Sequence, residues 1–164
     1  MTEKEKWFEL GYADEIKAIE KRQDPMLRRS RYVKKSELNC YDDCVRLSEL
    51  EADWNWYNYW PVSKLNGFEE IRSPEQVKFD IRTGKRIEFL FALQHKDEIK
   101  IMPTIYSLEH NDFYDMIFKN GDKYEVKTSK AQAEVYKEQH PDVIVAYPVD
   151  SSNLNADSEF IILR

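Results

Sequence analysis

Glycine and proline are scarce in this 164-residue chain, at 4 and 6 copies. That excludes collagen-like and low-complexity architectures, and no repeat period is visible. Cysteine is scarcer still. Cys40 and Cys44 stand four apart, a spacing that puts both on one face of a helix, where helical geometry bars a mutual disulfide. A structural zinc site needs about four ligands, commonly as two close pairs, and His95, His110 and His140 all lie far from the cysteines. The pair reads as two half-buried thiols in a reducing cell. Long apolar runs are missing too: Phe89 to Leu93 and Val143 to Tyr147 are the longest, well short of the ~20 residues that cross a bilayer. The opening Met-Thr-Glu-Lys-Glu-Lys leads into no apolar h-region. The expectation is a soluble, cytoplasmic protein without a membrane partner. A positive charge surplus is also lacking. Twenty-five Lys and Arg stand against 31 Asp and Glu, a net charge of −6, which argues against adhesion to a polyanion through the overall field. It does not exclude a site built from carboxylates that a bound cation neutralises.

What the chain does have is apolar and aromatic mass. It is 41% hydrophobic and 13% aromatic, enough for a real core in one domain, or one domain with an N-terminal extension. Residues 3–22 read as an amphipathic helix through Trp7, Phe8, Leu10, Tyr12, Ile16 and Ile19, stopped at Asp24-Pro25. A basic run follows: Arg28, Arg29, Arg31, Lys34 and Lys35, with Tyr32 inside it. Ser36-Glu37 can open a second helix carrying Cys40, Cys44, Val45, Leu47 and Leu50. Residues 54–60 hold five aromatics and end at Pro61; they read as an extended segment or a loop folded on the core. Residues 61–78, with Asn66-Gly67 and Ser73-Pro74, read as a connection.

Beyond that point the pattern sharpens. Arg82-Thr83-Gly84 is expected to open a helix to about His95, burying Ile87, Leu90, Phe91 and Leu93. Ile99–Tyr106 reads as a strand interrupted by Pro103. Phe113–Lys119 and Lys123–Thr128 read as two more, joined at Asn120-Gly121, the strongest short-range hairpin signal. Ser129 is a fitting N-cap for a helix over 130–139, stopped by Pro141. Val143–Tyr147 reads as a buried central strand and Glu159–Leu163 as the last. A hairpin followed by a strand–helix–strand crossover gives an α/β fold, a mixed central β-sheet flanked by helices.

The chemistry-bearing residues fall on the hairpin. Side chains alternate along a strand, so Glu125 and Lys127 share a face while Val126 points the other way. The Asn-Gly turn folds Asp115 back beside them, within one or two residues of register. Two carboxylates and an amine on one side of a sheet have a definite use. Hard oxygen ligands hold Mg²⁺ or Mn²⁺, the ion polarises a phosphate and acidifies a water, and the lysine serves that water.

Asp115, nine residues, then Glu125-x-Lys127 resembles the D-x(n)-E-x-K signature of the PD-(D/E)XK nuclease superfamily, and Thr128-Ser129 follows as it often does there. That family's core is a helix, three strands, a helix and a strand. Its first helix often adds an acid, and Glu88 in Thr83-Gly84-Lys-Arg-Ile-Glu88 occupies the matching place. Tyr114 stands where the proline usually does. Gln132-Ala-Glu-Val-Tyr136 spells Q-x-x-x-Y, a motif of the RecB-like exonuclease branch, but begins only five residues after Lys127, a short spacing for that branch. The resemblance covers residues about 80–164 and implies a restriction-endonuclease-like core over 79–164 behind a helical and aromatic extension over 1–78.

The resemblance further implies Asp115, Glu125, Lys127 and Glu88 as catalytic residues. Metal would be held by Asp115, Glu125, the Val126 carbonyl and Glu88. Phosphate or base contacts fall to Arg28, Arg29, Arg31, Lys34, Lys35 and Gln132. The expected activity is hydrolysis of phosphodiester bonds, DNA favoured, by an endonuclease or nickase; cutting both strands with one site per chain requires a homodimer. An E-x-K alone is a common accident, equally an ion pair on a solvated sheet. It is the added Asp115, Glu88 and element order that turn the reading. The rival expectations are a non-catalytic nucleic-acid- or partner-binding protein on the same fold, and an acidic interaction protein in which the match is accidental.

Overall fold

The computed structural model describes residues 9, 11, 31–55, 72–106 and 114–164. The expected helix over 3–22 (Glu9 and Gly11 apart), Arg28, Arg29, the aromatics from Trp56 to Trp60, most of the 61–78 connection, His110 and Phe113 lie outside them.

Seven short strands and three α-helices make up the described fold. Strand β1 (Arg31–Tyr32) precedes a 3₁₀ turn at Lys35–Glu37 and helix α1 (Tyr41–Trp54). Helix α2 (Pro74–Gln94) leads through a second 3₁₀ turn into β2 (Ile99–Ile101) and β3 (Thr104–Ile105). The hairpin β4 (Met116–Phe118) and β5 (Lys123–Val126) follows, then α3 (Lys130–Gln139), β6 (Ile144–Pro148) and β7 (Phe160–Leu163). The main sheet runs β2-β4-β5-β6-β7. Its pairings are antiparallel except β5 with β6, which are parallel across the α3 crossover. The fold is therefore α/β with a mixed five-stranded sheet.

Local chemistry sets the boundaries. The Ser73 hydroxyl accepts a hydrogen bond from the Gln76 amide at 3.1 Å and Pro74 takes the first helical position, where its missing N–H costs nothing. Helix α2 accordingly begins at Pro74 and not at Arg82: Ser73-Pro74, read as part of a connection, is a helix start. Ser129 caps α3 as expected, accepting from the Gln132 amide. The second helix expected from Ser36 begins instead at Tyr41. Cys40 is its extended N-cap residue, and the Asp43 carboxylate accepts from the Asn39 and Cys40 amides. The two thiols consequently differ: Cys40 is exposed and Cys44 is buried, its thiol pushed up to about 12 chiefly by burial.

Pro103 does more than interrupt a strand. Residues 99–101 join the main sheet, whereas Thr104–Ile105 leave it to pair with β1 in a separate two-stranded sheet, extended by a bond from the Val33 amide to the Pro103 carbonyl at 2.8 Å. Pro103 has no N–H to give to a ladder, so the segment divides there.

Helices α1 and α2 lie against one face of the sheet and α3 against the other. Phe89, Leu90 and Phe91 of α2 are fully buried with Leu38, Cys44 and Leu47 from the chain before it and with Ile99 and Met116 from the sheet. Burying each such side chain is worth about 1.5–3 kcal/mol. Ala133 of α3 packs on Val145 and Tyr147 across the sheet. One core thus takes residues from both sides of position 79, and α2 runs through that position. Among the described residues, no helix is long and apolar enough to cross a membrane.

Candidate active site

The Asn120-Gly121 turn determines which residues of the hairpin meet. Gly121 has φ +92°, a region that glycine enters without a Cβ penalty. Its amide donates to the Phe118 carbonyl at 2.9 Å, and the Phe118 amide donates to the Asp122 carbonyl at 2.9 Å. Met116 then pairs with Tyr124 and Ile117 with Lys123; one residue further, the same register sets Asp115 opposite Glu125. Two bonds hold Asp115 there. Its amide donates to the Tyr124 carbonyl at 2.7 Å, and its Oδ2 accepts from the Val126 amide at 2.8 Å.

Strand alternation on β5 divides the side chains as expected. Tyr124 and Val126 enter the core, Tyr124 with its ring 5.7 Å from that of Phe91 on α2. Glu125 and Lys127 take the other direction. Lys127 Nζ stands 3.2 Å from Glu125 Oε1 and 4.5 Å from the centroid of the Tyr136 ring on α3. Lys127 also opens onto a shallow cleft of roughly 520 Å³ lined by Ala131, Gln132, Val135, Tyr136 and Gln139. Gln132 and Tyr136, the two ends of Q-x-x-x-Y, therefore sit beside Lys127.

Glu88 arrives from α2. It is only 6% exposed, and its charge acts on the Asp115 carboxyl, as does that of Glu125 across the hairpin. Three acids thereby influence one another in two pairs through Asp115, with consequences for their protons. Burial, then the charges of Glu88 and Glu125, push the Asp115 carboxyl well above the usual carboxylate range, against the pull of the Val126 amide. Burial raises Glu125 as well, opposed by Lys127 and reinforced by Glu88. Burial and the charges of Glu125 and Asp115 push the Tyr136 phenol up. Buried acids in contact require either protons or a cation between them.

Two charged groups that sequence reasoning missed complete the cluster. Lys85, three residues before Glu88, forms an ion pair with it, donates to the Thr104 carbonyl at 3.1 Å and lies 5.0 Å from the centre of the Phe89 ring. Burial works to lower the Lys85 ammonium, but Glu88, Glu51 and Asp115 outweigh it and hold the group above its ordinary value. Glu51 of α1 is 4% exposed and accepts from the Tyr106 amide at 2.5 Å, fixing a residue whose φ is +60°. Burial, before all else, raises its carboxyl, while Lys85 opposes. The signals were present: Lys85 and Glu88 have i,i+3 spacing, and Glu51 falls on the stripe of Leu47 and Trp54, where an acid is out of place.

Of the basic run, Arg31, Lys34 and Lys35 fall among the described residues. Arg31 is clamped to Glu37 by two bonds of 2.8 Å each. Lys34 is exposed and Lys35 half-buried. His95 bonds to Glu98 at the end of α2 and His140 ends α3.

The donors around Asp115 are hard carboxylate oxygens, suited in type to Mg²⁺ or Mn²⁺. Among the described residues, no three His, Cys, Asp or Glu side chains already surround one point as a cage for a metal ion; the acids meet in pairs. Asp115, whose carboxyl burial and the charges of Glu88 and Glu125 push well above the usual carboxylate range, is the group whose ionised form an incoming cation would favour most. No protein-family model gives a significant match to this chain, and neither does a curated protein or a solved structure.

Proposed function

We propose that this protein is a metal-dependent nuclease of the PD-(D/E)XK type, hydrolysing phosphodiester bonds in DNA as an endonuclease or nickase. One observation carries the reading: Asp115 stands across the hairpin from Glu125 and within the field of the buried Glu88 of α2, and Glu125 is paired with Lys127. The order of helix, sheet strands and crossover helix supports a restriction-endonuclease-like core around them. Asp115, Glu125, the Val126 carbonyl and Glu88 are the groups proposed to hold Mg²⁺ or Mn²⁺. Such an ion would supply Lewis acidity toward the phosphate and toward the attacking water.

The chain's own residues do the rest. Lys127, fixed between Glu125 and the Tyr136 ring, holds the water in line with the phosphorus. As the new P–O bond forms, the attacking water releases a proton to solvent, the ester bond to the leaving oxygen breaks, and that oxygen takes up a proton from solvent. Gln132 and Tyr136 line the cleft into which a strand would lie. Arg28, Arg29, Lys34 and Lys35 are proposed to contact phosphate outside the site, with Arg31 already committed to Glu37. Cutting both strands requires two chains, each bringing one site.

The test is incubation of supercoiled, linear and branched DNA, and of RNA, with the protein in Mg²⁺, Mn²⁺ or EDTA. Nicked circles in Mg²⁺ or Mn²⁺, and none in EDTA, are expected. A second reading, a non-catalytic nucleic-acid- or partner-binding protein on this fold, draws on the net charge of −6 and on the pairing of Lys127 with Glu125. Binding of DNA with no cleavage of any substrate in either metal would select it.

A further inference from the structure

Beyond the groups assigned above, the cluster continues inward. Glu125 adjoins Lys127 and Asp115, Asp115 adjoins Glu88, Glu88 is ion-paired with Lys85, and Lys85 lies in the field of Glu51. With every group ionised, these four carboxylates and two ammonium groups leave two negative charges. That is the charge of one divalent cation. Two-metal phosphodiesterases place their ions about 3.5–4 Å apart on shared carboxylates. Here the inner side of Glu88 already holds a cation.

Lys85 is no loose surface lysine. Its side chain is 18% exposed and that of Glu88 8%. The ammonium is held at once by the Glu88 carboxylate, the Thr104 carbonyl and the face of the Phe89 ring. The Thr104 carbonyl is in turn placed by the pairing of β3 with β1 and by the bond from the Tyr106 amide to Glu51. The chain before α2 therefore helps to position this ammonium.

We infer that Lys85 is a built-in counter-ion of the site: its ammonium fills the place of a second metal on Glu88, positions that carboxylate, and restricts the protein to one divalent ion per chain. The inference rests on the nuclease reading and adds the ion count and the role of Lys85. A neutral side chain at 85 would leave three negative charges, more than one divalent ion can balance, and would vacate the position beside Glu88. Arginine keeps the charge.

Titration with Mn²⁺ alone, followed by electron paramagnetic resonance, tests this without substrate or turnover. The wild-type protein and Lys85→Arg are expected to bind one Mn²⁺ per chain with an uncoupled spectrum. Lys85→Met is expected to bind two, with the spectrum of a coupled pair. Two equivalents in the wild type or in Lys85→Arg overturn the inference and leave the nuclease reading intact. So does a folded Lys85→Met that still binds one ion. If Lys85→Met does not fold, the other two stoichiometries decide. No Mn²⁺ bound by the wild type overturns both the inference and the metal-dependent reading beneath it.

Discussion

At the start of the described chain, Arg31 and Glu37 grip each other with two short bonds while both side chains stay partly in water. Between α2 and β5, a buried Glu88 and half-buried Asp115 and Glu125 are brought together with fewer cations than acids. The first region does what folding stability asks of charge: opposite signs pair where solvent still reaches them. The second works against stability, because taking an ion out of water carries a penalty of roughly several kcal/mol unless it is compensated. The positive-φ turn and the two backbone bonds to Asp115 hold that costly cluster in place, and this cost is what supports the functional reading proposed for it. The two regions also respond to pH in opposite directions. The hydrogen bond from Arg31 is the main cause holding Glu37 below its ordinary range, so that pair stabilises the fold above the usual carboxylate pKa and loses its effect as pH falls. Asp115 and Glu125 are raised. The folded state then keeps protons that the unfolded state has released, and stability declines as pH rises from the ordinary carboxylate range toward the raised values.

Several substitutions sharpen that contrast. The largest effect is expected from Lys127→Ala, which should lower turnover by at least about 100-fold, the lower end of acid–base contributions, while leaving Mn²⁺ affinity nearly unchanged; single-turnover cleavage and metal titration separate the two. Asp115→Asn should weaken Mn²⁺ binding by at least about tenfold, which corresponds to a loss of about 1.4 kcal/mol. Equal metal titrations for the two variants would show their roles to be wrongly divided. The same Asp115→Asn should stabilise the metal-free protein at pH 8, because it removes a buried acid that resists ionisation. About 1 kcal/mol would appear as a rise of roughly 2–4 °C in Tm, fading toward pH 4. Arg31→Gln marks the small end. An exposed pair is worth only about 0.2–1 kcal/mol, so its Tm should move little and in the destabilising direction. Neutralising Lys34 and Lys35 together tests the phosphate-binding role: the slope of log affinity for duplex DNA against log salt should fall by about 0.9 for each phosphate that is no longer neutralised.

The hairpin and the α3 crossover were legible in the sequence because their signals are local. Asn120-Gly121 needs only its own backbone to turn, Ser129 caps within one turn, and alternation along β5 follows from strand geometry. The helix at Ser73 was obscured because serine followed by proline serves a turn as readily as a helix start. The division at Pro103 depended on partners distant in sequence: only the pairing of Thr104–Ile105 with Arg31–Tyr32 shows where that segment goes. The candidate site divides in the same way. Asp115, Glu125 and Lys127 are brought together by one turn, so sequence spacing alone could pair them. Lys85 and Glu51 carried only weak signals, an i,i+3 spacing from Glu88 and a place on an apolar stripe, and it takes the packing of α1 and α2 to bring the two into one electrostatic cluster.

The proposed metal-dependent reading requires the acids around Asp115 to receive a divalent cation, and it stands or falls with that property. The most direct measurement is Tm at pH 8 for the wild-type protein in EDTA and in a concentration series of Mg²⁺ and Mn²⁺, with Asp115→Asn beside it. Ligand at about 100 times its Kd adds about 2.7 kcal/mol, or roughly 5–11 °C for a chain of this size. The expected result is a saturable rise in the wild type that is lost or greatly weakened in Asp115→Asn. A wild-type Tm indifferent to both metals, or an equal rise in the two proteins, would contradict the metal-binding role of the cluster.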